Sequence, residues 1–71
     1  MKLFYYAETD SLYIDLAERP SVTSEEVMPG VVLDLDDQGA LVGIDIDHAS
    51  SRLDLPLSGS GSVPFEAVGG G

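Results

Sequence analysis

The fold class predicted by this chain is mainly β, on the border of small α+β: a five-stranded antiparallel meander followed by one short C-terminal helix. Three observations predict it. Apolar residues alternate with a period of two over most of residues 1–55, as half-buried strands require. The joints between these stretches are short and carry turn formers, which suits antiparallel neighbours, because a parallel crossover needs about a dozen residues or more. Only after Asp47 does the alternation lapse, in "DHASSRLDL", long enough for one brief helix.

The elements follow in order. In "KLFYYA", Leu3 and Tyr5 share one face and Phe4 and Tyr6 the other. In "SLYIDLA", Leu12, Ile14 and Leu16 line up against Tyr13 and Asp15. "SVTSEEVM" is weak and polar, with Val22 and Val27 on opposite faces, a strand of the kind found at sheet edges. "VVLDLDD" sets Val31, Leu33 and Leu35 against Val32, Asp34 and Asp36, and "ALVGIDIDH" sets Val42, Ile44 and Ile46 against Asp45 and Asp47. The expected joints are "AETDS", "ERPS", "MPG" and "DDQGA". Pro29-Gly30 fits the centre of a type II turn, since proline presets φ and glycine accepts φ > 0. In the last stretch Asp47 is the expected N-cap, bringing Ala49 and Leu53 back over the sheet.

Seventy-one residues hold one small domain, here expected over residues 1–55. A chain this short buries only about 60 % of its unfolded surface. With no cysteine, it has no disulfide to compensate, so self-association into a dimer or higher oligomer is expected. Residues 56–71, with "SGSGSVPFEAVGGG", read as a flexible Gly/Ser-rich tail. No apolar run approaches the ~20 residues of a membrane span, and no basic-then-apolar leader opens the chain. The expected location is cytoplasmic.

Thirteen acidic residues stand against Lys2, Arg19 and Arg52, for a net charge of −10. Nucleic acid and anionic membranes would repel such a surface, and a basic protein is its natural complement. The densest acidic stretch, "DLDDQG", overlaps the start of an EF-hand loop, with Gln38 where Asp or Asn is usual. The overlap fails further on. Asp45 stands where a bidentate Glu is needed, and the flanks are β-branched strands instead of helices. A hairpin turn explains the same residues, with Gly39 in the left-handed conformation. His48 lies beside Asp47, but one histidine without cysteines makes a poor transition-metal site. No nucleophile elbow and no phosphate-cradling loop occurs, and Tyr5, Tyr6 and Tyr13 are core or interface aromatics. No catalytic residue, metal site or cofactor is expected.

The motifs do carry a resemblance. "YAETDSLYIDL", then "SEEVMPGVVLDLDDQGALVGIDI", then "HAS" resemble the small bacterial family called domain of unknown function 2283, also described as YuzE-like. Its pattern maps onto Glu26, Pro29, Gly30, Val31, Leu33, Asp34, Asp36, Gly39, Leu41–Ile46, Ala49 and Ser50. Tyr6 stands where the family has Asp, and Asp45 where it has Glu. The resemblance implies a compact β-rich domain with no established enzymatic activity. Because some members are encoded beside small toxin-like proteins, it also implies an antitoxin-like role.

The expected function is therefore a non-enzymatic protein-interaction module. It would bind a basic partner through Asp34, Asp36, Asp45, Asp47, Glu25 and Glu26. The alternative is a small regulator that binds a divalent metal or another ligand on the hairpin face bearing Asp34, Asp36, Asp45 and Asp47.

Overall fold

The structure, a computed structural model, describes residues 1–53 and 61–62. Its strands are β1 (Lys2–Tyr6), β2 (Ser11–Asp15), β3 (Thr23–Met28), β4 (Val31–Leu35), β5 (Leu41–Ile46) and β6 (Gly61–Ser62), with helix α1 (Ala49–Arg52) after β5. They form one antiparallel sheet in the order β3-β4-β5-β2-β1-β6. The five expected strands and the short helix are all present. Of the expected tail, Gly61 and Ser62 pair with Tyr5 and Phe4 at the outer edge of β1; the rest of that expectation lies outside the described residues.

Strands β3, β4 and β5 follow one another as a meander, but "ERPS" is not the tight joint expected between β2 and β3. β2 pairs with β5 instead. The chain leaves β2 with the Leu16 and Ala17 amides donating to the Val42 carbonyl (3.0 and 3.3 Å). It passes the end of the β4–β5 hairpin and rejoins the sheet where the Val22 amide donates to the Leu35 carbonyl (2.8 Å). The physical reason lies in burial. All six β3 residues are exposed, whereas β2 carries Leu12 at 0 % exposure. The polar strand takes the edge, and the apolar β5 takes the interior place beside β2.

One face of the sheet holds the core. Leu3, Tyr5, Leu12, Ile46 and Ala49 are buried there, with Ile14, Val31, Ile44 and Leu53 packed around them. Burying the side chains of Leu3, Leu12 and Ile46 contributes about 1.5–3 kcal/mol each. The turns follow their glycines. Met28 pairs with Val31 across Pro29-Gly30, with Gly30 at φ +85°. An adjoining bulge at Val27 takes up the mismatch in twist that a type II turn brings to a hairpin. Gly39 closes the β4–β5 turn at φ +78°.

The expected N-cap is corrected. Asp47 does not cap α1: His48 holds that position with φ 55° and no side-chain cap bond. The first turn is served across the fold by Asp10, from the β1–β2 turn. Its carbonyl accepts from the Ala49 amide (2.8 Å), its Oδ1 from the Ser50 amide (3.1 Å) and its Oδ2 from the Ser50 hydroxyl (2.7 Å). Asp10 itself sits at φ 53°, a conformation Asp tolerates better than most residues. Asp47 is held elsewhere, its amide donating to the Gly30 carbonyl (2.7 Å).

Candidate functional site

The register divides the six expected partner-binding residues into two kinds. Asp34 and Asp36 are engaged within the chain. Glu25, Glu26, Asp45 and Asp47 are exposed.

Asp34 works as a tie on the face opposite the core. Its Oδ2 accepts from the Tyr13 hydroxyl (2.9 Å) and its Oδ1 from the Ser24 hydroxyl (2.9 Å). Tyr13 is on β2 and Asp34 on β4, so the ring must cross β5. Gly43 makes that crossing possible. A Cβ there would lie 2.0 Å from the Tyr13 hydroxyl oxygen and 2.6 Å from Cζ. The bare glycine is the floor under the ring, and one side chain links β2 to β4 while Asp34 also holds β3. Burial, the hydrogen bond to Asp34 and the charges of Asp34, Asp15 and Asp45 push the Tyr13 hydroxyl up to about 12.

Asp36 does not project from the polar face with Asp34, as the alternation predicts. It is 7 % exposed and turned into the hairpin loop. Its Oδ1 accepts from the amides of Gln38 and Ala40 (2.8 and 2.9 Å), and its Oδ2 from Arg19 Nε (2.8 Å). The amide bonds, with the Arg19 guanidinium, outweigh burial and hold its carboxyl below the usual carboxylate range. The reason is local: Asp followed by a glycine turn folds its carboxylate back onto its own backbone. The ion pair also anchors the β2–β3 connection, although its Arg19 side is more than half exposed and such a pair contributes only about 0–1 kcal/mol.

Asp45 lies between Tyr13 on β2 and Val32 on β4. Burial and the negative charges of Asp47 and Asp34 raise its pKa. Asp47 follows β5 and accepts from the Ser11 hydroxyl (3.2 Å). Glu25 and Glu26 stand on β3 opposite Leu33 and Val32. The four expected carboxylates of the hairpin face are therefore dispersed, and among the described residues no group of three or more His, Asp or Glu converges as metal ligands. An open depression lined by Met1, Lys2 and Asp15–Glu18 has a volume of about 70 Å³, far below the roughly 300–1,000 Å³ of small-molecule sites.

Two of the three basic side chains turn onto the chain itself. Arg19 binds Asp36. Arg52 Nη2 donates to the Pro29 carbonyl (2.6 Å), clamping α1 to the β3–β4 turn. Sequence reasoning missed Asp10, Gly43 and both arginines in these roles, because each acts on a residue far away in the chain.

The comparison with known families bears on the same elements. The family model described as "Protein of unknown function (DUF2283)" matches residues 2–50. The chain belongs to this family. The match takes in β1 to β5 and the start of α1, so every described strand of this DUF2283 chain except β6. No curated protein and no solved structure matches the chain. No helix among the described residues is long and apolar enough to cross a membrane.

Proposed function

We propose that this DUF2283 chain is a non-enzymatic, cytoplasmic interaction module that binds a basic protein partner through its acidic surface, in the manner of an antitoxin. One observation carries the reading. Arg19 and Arg52 are spent on contacts within the chain, while Glu25, Glu26, Asp45 and Asp47 stay exposed. The net charge of −10 is thus presented outward, where it speeds and selects encounter with a positive partner. Self-association belongs to the core face, where Ile14, Leu33 and Ile44 are only half-buried.

The test is capture of partners from the native host by the tagged full chain, at low and then high salt. A stoichiometric basic protein that is released at high salt and rebinds the pure chain is the expected result. Recovery of the chain alone would refute the reading.

A further inference from the structure

The two ends of the sheet differ in kind. At one end, β1 is covered over Phe4 and Tyr5 by the two residues of β6. At the other, β3 runs for six residues with β4 on one side and, among the described residues, no strand on the other. An uncovered edge strand offers a row of backbone donors and acceptors to any extended chain. Natural edges are blunted by charge and bulges, and β3 has both, in Glu25, Glu26 and the Val27 bulge. A merely blunted edge has no use for exposed apolar side chains, yet Val22, Val27 and Met28 are 63 %, 51 % and 52 % exposed.

We propose that the free edge of β3 is a docking strand that takes a basic, extended segment of the partner and turns away a second copy of this chain. This rests on the interaction reading above and deepens it. The selectivity comes from register. Two copies of β3 that pair antiparallel through the same edge set residues of like parity opposite each other, because only alternate residues turn their backbone groups outward. The longest such registers keep five of the six residues together, and in them Glu25 faces Glu25 or Glu26 faces Glu26. Like charges directly opposite destabilise strand pairing. A strand with lysine or arginine at those places turns each repulsion into an attraction, while Val22, Val27 and Met28 supply apolar contact beside it. Main-chain pairing then provides affinity and the flanking side chains specificity, as in other cases of strand addition.

The chain can supply its own probe. The full-length double variant E25K/E26K presents a basic β3, and both positions are exposed, so the fold is kept. Isotope-labelled wild type is mixed with unlabelled E25K/E26K, and amide hydrogen exchange is followed by NMR. The expected result is exchange slowed at least tenfold at Thr23–Met28 in the mixture only, with the protection fading as salt is raised. The full-length variant D45K/D47K carries the same change in charge off the edge and is expected to give no protection there. Three results would overturn the inference: an unprotected β3 in the mixture, equal protection by D45K/D47K, or protection of wild-type β3 by wild type alone. The broader reading is separable from this one. A native basic partner still bound by E25K/E26K but lost by D45K/D47K would remove the edge and leave the interaction module standing.

Discussion

Gly43 is the position where one added methyl group tests the most of this structure. Its φ lies outside the left-handed region, so alanine is acceptable to the backbone, and in a strand it would ordinarily stabilise by about 0.5–1 kcal/mol. Here the new Cβ meets the Tyr13 hydroxyl oxygen at 2.0 Å, Cζ at 2.6 Å and Cε1 at 3.2 Å. The ring has to swing away by more than an ångström, and the 2.9 Å bond to Asp34 goes with it. A hydrogen bond to a charged group is worth about 1.5–3 kcal/mol, and forced displacement costs about 1–3 kcal/mol. Tyr13 is half-buried and can move toward solvent, which puts both losses at the low end. Net of the backbone gain, Gly43→Ala should destabilise by about 2 kcal/mol. That is a fall in Tm of roughly 8–16 °C for a domain this small. Thermal and urea melts measure it, and a Tyr13→Ala background provides the control. With the ring gone, Gly43→Ala should become neutral or mildly stabilising, so the cycle gives a coupling of about 2 kcal/mol or more between the two positions. An unchanged Tm in the wild-type background, or the same loss in both, would refute the account of Gly43 as the floor of a β2-to-β4 tie.

Alkaline pH probes the same tie. Tyr13 has a folded pKa of about 12 against an ordinary 10.0, so its contribution to stability is complete below pH 10 and is lost as pH rises from 10 to 12. Urea melts at pH 9 and pH 11 should differ, and Asp34→Asn should bring the 295 nm tyrosinate transition of Tyr13 down toward 10. The acid side has the opposite sign. Asp10, bonded by Tyr5 and Ser50, and Asp36, bonded by its loop amides, both have lowered pKa values. Their contribution is present above the ordinary 3.8 and is lost as pH falls through the folded values, so Tm should fall between pH 5 and pH 2 in the wild type and fall less in Asp36→Asn. Asp45, with a raised pKa, is stabilised by protonation, and Asp45→Asn should raise Tm slightly at pH 7. Asp10→Ala should lower Tm by roughly 5 °C or more. Asp10→Gly relieves the backbone at φ 53° but not the lost cap, and should recover only part of that fall.

How much of this was legible in the chain follows from the range of each interaction. The strands, their faces and the two glycine turns depend on neighbours one to four residues apart, and alternation with turn chemistry reports these directly. The same local pattern predicts a surface position for Asp36, because it extends the alternation of β4 past the strand's end. There the Gly39 turn takes over, and the carboxylate folds inward. By chain order Asp47 is the expected cap, since it precedes the helix, whereas the capping carboxylate comes from Asp10, 40 residues away from Ser50.

The placement of β3 is more instructive, because the means to find it were present. "SVTSEEVM" reads as an edge strand, and an uninterrupted meander in chain order would put it in the middle of the sheet. Both readings cannot hold. Burial decides between them, since a central strand must be covered on both flanks, and β3, exposed at all six residues, has nothing to cover. The apolar "LVGIDI" has, and it carries the glycine over which Tyr13 lies. Edge character therefore implies the strand order: if β3 is an edge, β2 needs another partner, and β5 is the strand with the side chains to serve. The same step links fold to function. Moving the most acidic strand out of the interior leaves Glu25 and Glu26 on a long edge that is open among the described residues, where a partner's backbone can reach them.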